Sequence, residues 1–169
     1  MENDPLATAP RFCAWVTFGS GEWAGPASIQ LPSGLGLYPI PTLRLRMKHS
    51  EGFLKLVNDA RSRVRELTVE HTRKRIDADP SVKLIDVRED NEWQAGHAAG
   101  ADHLGKGIIE RDIEGKVPDK STELILYCGG GYRSALAADV LQRMGYTNVY
   151  SMEGGWKAWK ESGAPTTSE

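Results

Sequence analysis

The chain has 169 residues, enough for one ordinary domain that buries a core without disulfide or metal support. Its 21 basic and 23 acidic residues give a net charge of -2, which excludes a strong electrostatic field for nucleic acid or an anionic membrane. No run approaches the roughly 20 apolar residues that span a bilayer, and the first residues are acidic, so we expect no membrane contact and no signal peptide.

The chain contains two cysteines, Cys13 and Cys128, which lie too far apart for a metal-binding motif. We therefore expect neither a metal site nor a disulfide framework. A free thiol of this kind is typical of a reducing cytoplasm, which is the compartment we expect. Cys13 lies in an irregular stretch and is given no functional role.

Residues 1–46 differ in composition from the rest of the chain. They hold six of the nine prolines and five glycines without a sustained period, which predicts an irregular segment. Trp15, Trp23 and other apolar residues are nevertheless too frequent for a solvating linker. One hypothesis is that translation naturally starts at Met47, so that residues 47–169 form the domain and residues 1–46 are absent from the native product. The intact mass of the native protein tests it.

The pattern becomes regular from Ser50, which can cap a helix over residues 50–65. Thr68 is predicted to cap a second short helix that ends before Asp79-Pro80. Further along, apolar runs of strand length alternate with helical patterns. The predicted strands are 83–87, 101–104, 123–127 and 148–151, and the predicted helices are about 107–113, 133–144 and 155–162.

This alternation predicts the α/β class, with a mainly parallel sheet covered by helices on both faces. Ligands on such sheets bind beyond the carboxyl ends of the strands. Cys128 stands at that end of the strand over 123–127, and three glycines and an arginine follow it before the next helix. The predicted site therefore comprises Cys128 and the loop that follows it: Gly129, Gly130, Gly131, Tyr132, Arg133 and Ser134.

The chemistry of this loop favours a thiolate at Cys128. Consecutive glycines allow backbone N–H groups to turn toward one anionic atom, and the helix start and Arg133 add positive charge. An isolated cysteine is more often a small buried apolar residue, but its place between a strand end, three glycines and an arginine favours function. A nucleotide site is disfavoured because the loop lacks both the phosphate-loop ending and the GxGxxG spacing.

Four ordered motifs resemble those of the rhodanese family and together cover about residues 66–160. They are Cys-Gly-Gly-Gly-Tyr-Arg at 128–133, Leu-Ile-Asp-Val-Arg at 84–88, the segment from Glu92 through Gly96-His97 to Gly100-Ala101, and Gly-Gly-Trp-Lys-Ala-Trp at 154–159. Ala98-Ala99 replace the family's usual Ile-Pro. The resemblance implies a single rhodanese-like domain with a five-stranded, mainly parallel sheet.

The resemblance also implies an enzyme of the thiosulfate sulfurtransferase type, which moves a sulfane sulfur from a donor such as thiosulfate or a persulfide to a thiophilic acceptor through a Cys128 persulfide. No cofactor is expected. The alternative is a sulfur-relay or regulatory module that binds another protein and turns over little small molecule. A cysteine-dependent phosphatase or arsenate reductase is less favoured, since four residues separate Cys128 from Arg133 where the phosphatase signature has five.

The resemblance further places Asp86 and Arg88 beside the active loop, where a supporting role is favoured over direct catalysis. His97 is interpreted as structural, because a thiolate that is already stabilised needs no general base. Trp156 and Trp159 are expected to pack onto the sheet.

Overall fold

The computed structural model describes residues 49–168. The predictions for residues 1–46 and the proposed start at Met47 lie outside these residues. Within the described range no helix has the length and apolar character that a bilayer crossing requires.

The described chain alternates helices and short strands. The helices are α1 (Glu51–Arg61), α2 (Val69–Ala78), α3 (Asp90–Gln94), α4 (Ile109–Lys116), α5 (Tyr132–Arg143) and α6 (Gly155–Glu161). The strands are β1 (Arg65–Leu67), β2 (Lys83–Asp86), β3 (His97–Ala98), β4 (Asp102–His103), β5 (Leu124–Tyr127), β6 (Val149–Met152) and β7 (Thr166–Thr167). Ser50 and Thr68 cap α1 and α2, as predicted, by accepting hydrogen bonds from the backbone amides of Phe53 and His71.

Five strands form one parallel sheet in the order β1-β6-β5-β2-β4, which confirms the predicted fold class. Successive side chains of a strand point to opposite faces, and β5 shows this directly. Leu124 and Leu126 belong to one core cluster, whereas Ile125 and Tyr127 belong to the other.

Each core cluster is covered by its own helices. The first includes Ile113 of α4 and Leu141 of α5, and the second includes Val69 of α2 and Trp159 of α6. Helices therefore cover both faces, as expected for a parallel sheet. Trp159 is buried, in agreement with its predicted packing.

The predicted helix over residues 50–65 is wrong at its C-terminal end. The helix stops at Arg61, and residues 65–67 form the edge strand β1, which pairs with β6. Val64 is buried in the first core cluster, so helical spacing identified a core residue in the wrong element. Pairing with a neighbouring strand outweighs the local helical preference here.

Short elements beside the sheet were also missed. Helix α3 has five residues, and β3 pairs with β7 as a small antiparallel sheet of two residues per strand. Segments of this length carry too little periodicity to be recognised from sequence.

The register between β2 and β5 shows which edge of the sheet carries the expected site. Asp86 lies opposite Tyr127, so both strands end at the same edge of the sheet. The loop after β5, which begins with Cys128, therefore lies beside the loop after β2, which contains Arg88.

Candidate active site

Cys128 is the first residue after β5, and the loop that follows it turns directly into α5. Gly131 has a φ of 87° and is the N-cap of α5. This left-handed conformation suits glycine. The amide donates a hydrogen bond to Cys128 Sγ at 3.2 Å.

A second donor reaches the same sulfur from the first turn of α5. The Ser134 hydroxyl donates to Cys128 Sγ at 3.7 Å. Among residues 49–168, these two groups are the hydrogen-bond donors within reach of Sγ. The loop thus presents one amide and one hydroxyl to the sulfur, rather than the run of successive amides expected from the glycines.

The thiol itself is buried. Cys128 is only 1% exposed and belongs to the first core cluster, so its location fits the alternative interpretation as a small apolar residue. Two polar donors aimed at Sγ are not required by an apolar role. Gly129 and Gly130 are half-buried, so the loop that holds the sulfur borders solvent.

The start of α6 holds the outer side of the loop. The backbone amide of Trp156 donates to the carbonyl of Cys128 at 2.6 Å, and that of Lys157 donates to the carbonyl of Gly129 at 3.2 Å. In a trans peptide the carbonyl and the following amide point in opposite directions. The amides of Gly129 and Gly130 therefore face away from α6.

This close approach requires glycine at position 155. Gly155 has a φ of 53°, and a Cβ at this position would lie 2.1 Å from the carbonyl oxygen of Cys128. Gly155 therefore lets the backbone of α6 touch the backbone of the loop.

Arg133 lies near enough to Cys128 for their charges to interact, but its guanidinium is also paired with a carboxylate. Its guanidinium forms a two-pronged ion pair with Glu92, at 2.7 and 2.9 Å, and Glu89 lies 3.5 Å away. The hydrogen bonds from Arg133 hold the pKa of Glu92 below its ordinary value, and those same bonds raise the pKa of Arg133. Glu92 is thus a site residue that sequence reasoning missed. Its place in the motif at 92–101 was the only signal.

Asp86 and Arg88 form a buried ion pair beside the loop. Asp86 is fully buried and Arg88 is 2% exposed. Arg88 Nη2 donates to Asp86 Oδ2 at 2.6 Å and to the carbonyl of Gly96 at 2.8 Å, and Nε contacts both carboxylate oxygens. The pair ties the end of β2 to the turn before β3. This arrangement favours the predicted supporting role over contact with substrate.

Tyr132 is contacted by residues of α1 and by His49, which lies just before that helix; no motif pointed to these contacts. Its ring lies 4.6 Å from that of His49 and 6.2 Å from that of Phe53, and the Arg61 guanidinium lies 5.1 Å from its centroid. Helix α1 therefore completes one border of the loop.

His97 is held as a structural residue. Its ring stacks on Trp93 with centroids 3.3 Å apart, and Nδ1 lies 3.1 Å from the carbonyl oxygen of Trp93. These contacts fit the predicted structural role. Across residues 49–168, no group of three or more His, Cys, Asp or Glu side chains converges as a metal site.

Comparison with known proteins decides the family. The model of the rhodanese-like domain matches residues 68–162, more than half of the chain. The chain belongs to the rhodanese-like domain family. Thiosulfate sulfurtransferase GlpE from Shewanella oneidensis is 36% identical over 84 residues, which cover 50% of this chain and 81% of that protein.

Solved structures share the fold. The polysulfide-sulfur transferase homodimer from Wolinella succinogenes superposes with a TM-score of 0.62 at 26% identity, covering 70% of this chain and 88% of that one. A possible tyrosine phosphatase from Rhodopseudomonas palustris superposes with a TM-score of 0.60 at 26% identity, covering 71% and 97%. The chain spans only 52% and 60% of the length of two other curated relatives.

Proposed function

We propose that this rhodanese-like protein is a sulfurtransferase that carries a sulfane sulfur as a persulfide on Cys128. The observation that carries the proposal is the hydrogen bond from the Gly131 amide to Cys128 Sγ at 3.2 Å, made at the start of α5. An amide donor and the positive end of a helix both stabilise a thiolate, which is the nucleophilic form of cysteine.

The proposed cycle has two displacement steps. In the first, the Cys128 thiolate attacks the outer sulfur of thiosulfate, the sulfur–sulfur bond breaks, and sulfite leaves with the electron pair. Cys128 then carries a persulfide with its negative charge on the terminal sulfur. In the second, a thiophilic acceptor attacks that terminal sulfur and the Cys128 thiolate leaves. Neither step uses a metal or an organic cofactor.

The donor can be a small sulfur anion such as thiosulfate or a persulfide, and the acceptor can be a small nucleophile or another protein. The ion pair of Arg133 with Glu92 favours a persulfide as the donor over thiosulfate. Because a carboxylate already matches the loop's cation, little positive potential is left for a free dianion. This observation supports the alternative function, a sulfur relay that receives its sulfur from a persulfide and turns over thiosulfate slowly.

A cysteine-dependent phosphatase or arsenate reductase is the competitor from another reaction class. Phosphoryl transfer needs donors for three equatorial oxygens. Here four residues separate Cys128 from Arg133, and the guanidinium is turned toward Glu92. The terminal sulfur of a persulfide is a single atom, so the loop needs fewer hydrogen-bond donors to hold it than a phosphoryl group requires.

The test compares the wild-type protein with Cys128→Ser and, as a matched control, Cys13→Ser. Each protein is mixed with thiosulfate and cyanide, thiocyanate is followed, and bound sulfur is measured by intact mass. Thiocyanate formation that survives in Cys13→Ser but not in Cys128→Ser supports the enzyme.

Sulfur loading of Cys128 without turnover supports the relay. Cys128-dependent hydrolysis of an aryl phosphate without sulfur loading would overturn the proposal in favour of a phosphatase. Absence of loading from thiosulfate, glutathione persulfide and polysulfide would overturn both sulfur-transfer functions.

A further inference from the structure

Two hydroxyl groups lie buried beneath the sulfur of Cys128. Ser134 is in the first turn of α5 and Ser151 is on β6, the strand next to β5. Both residues are fully buried, and their Oγ atoms are 2.9 Å apart. A buried hydroxyl is costly unless it is hydrogen-bonded, so this pair requires an explanation.

The hydrogen bond between the two serine hydroxyls is followed by a second one, from Ser134 to the sulfur of Cys128. Ser134 Oγ lies 3.7 Å from Cys128 Sγ, and Ser151 reaches the sulfur only through Ser134. A hydroxyl has one proton to donate. When Ser134 donates that proton to Sγ, its bond with Ser151 must have Ser151 as the donor.

A thiolate fixes the direction of this chain, because a thiolate sulfur has no proton and can only accept. The order is then Ser151 to Ser134 to Cys128. Hydrogen bonds that run in one direction polarise one another, so the Ser151 bond strengthens the bond that Ser134 makes to the sulfur.

We propose that Ser151 is a positioning residue, which holds the Ser134 hydroxyl in the orientation that donates to the Cys128 thiolate. The thiolate is the attacking group in the first step of the cycle and the leaving group in the second, so the same chain serves both steps. This inference rests on the proposed function for its role in turnover.

The test is a double-mutant cycle in the full-length protein on a Cys13→Ser background, so that Cys128 is the only thiol. Ser134→Ala, Ser151→Ala and the double variant are titrated with pH while ultraviolet thiolate absorbance is followed, with Cys128→Ser as the blank. Because the Ser134 hydroxyl bonds directly to a charged atom, Ser134→Ala should raise the midpoint of the thiolate absorbance curve by about one pH unit. Ser151→Ala should raise the midpoint by less. The double variant should match Ser134→Ala alone.

Thr72→Val is the matched control, because Thr72 is a fully buried hydroxyl on α2 with no hydrogen-bond partner among the described residues. Its midpoint should equal that of the parent. A Ser151→Ala midpoint equal to that of the parent overturns the proposal, and so does a double variant whose shift is the sum of the two single shifts. Thermal unfolding of each variant verifies that all are folded when titrated.

This experiment separates the inference from the proposed function. The midpoints depend only on the thiolate and require no sulfur transfer. If Cys128 takes up no sulfane sulfur, the proposed function fails while the coupling of Ser151 to the thiol is still measured. If sulfur transfer is robust but the two shifts add, the positioning role alone fails.

Discussion

Two arginine–carboxylate pairs flank the loop after β5, and they differ mainly in their exposure. In the pair of Arg88 with Asp86, the side chains are 3% and 0% exposed. In the pair of Arg133 with Glu92, they are 29% and 34% exposed. Both pairs make two-pronged contacts, so geometry alone does not separate them.

We infer from this difference that the buried pair stabilises the fold and that the exposed pair acts on the proposed substrate. A buried pair is costly to break because it leaves an unmatched charge without water. Arg88 also bonds to the carbonyl of Gly96, so it fixes two segments of chain at once. The pair of Arg133 with Glu92 borders solvent and lies beside Gly129, where it can set the charge that a substrate meets.

The largest effect is expected from breaking the buried pair. Arg88→Leu leaves Asp86 as an unmatched buried carboxylate and should lower the free energy of unfolding by about 3–5 kcal/mol. Urea denaturation measures it. The double variant Asp86→Val, Arg88→Leu is the control and should recover part of the loss. An Arg88→Leu protein as stable as the wild type would remove the distinction between the two pairs.

A second variant tests whether the contact between the backbones of α6 and the loop after β5, rather than either ion pair, positions that loop. Gly155→Ala puts a methyl group into the carbonyl of Cys128 at a positive φ and should cost about 2–3 kcal/mol, with a lower rate of sulfur transfer. Gly163→Ala is the matched control: its φ is 68° with open space around it, so it should cost only about 1 kcal/mol. Equal losses in urea denaturation would show that the close approach does not matter.

The exposed pair should affect substrate more than stability. Glu92→Gln removes the negative charge that matches Arg133, which should lower the KM for thiosulfate about fivefold while changing the free energy of unfolding by at most about 1 kcal/mol. Steady-state thiocyanate formation measures the KM. Glu89→Gln, whose carboxylate is farther from Arg133, should have a smaller effect. A KM that rises in Glu92→Gln would mean that Glu92 holds Arg133 in a position that binds the donor.

The smallest effect concerns pH. Arg133 holds the pKa of Glu92 below its ordinary value in the folded protein, so the stabilisation is fully present above the ordinary glutamate pKa. It should be lost as the pH falls through the lowered pKa. The difference in unfolding free energy between the wild type and Glu92→Gln, measured against pH, should be flat near neutrality and should vanish in acid. A difference that grows in acid would contradict the sign.

Much of the fold could be predicted because its central strands are apolar runs of adequate length. The runs over 123–127 and 148–151 gave β5 and β6 to within a residue. Strand β1 was missed because it has three residues and is held by its neighbour β6 rather than by its own sequence. The same limit explains β3 and β7.

The residues of the candidate site likewise fall into those that could be predicted from the sequence and those that could not. Cys128 and its glycines are contiguous in sequence, so the loop could be recognised as a motif. Glu92 is 41 residues from Arg133, and Ser151 is 17 residues from Ser134, so these contacts exist only after the chain has folded. Spacing rules describe neighbours on one element and carry no information about such pairs.

The pleat of β5 makes Cys128 the last member of the row that begins with Leu124 and Leu126. The reactivity of its sulfur therefore depends on whether the first core cluster is intact, as well as on the proposed sulfur transfer. In the Cys13→Ser variant, where Cys128 is the only thiol, a fluorescent alkylating label too large to enter the closed loop should react only when β5 and α5 separate locally. Labelling rates then give the free energy of that opening, and any ligand that tightens the region will slow them.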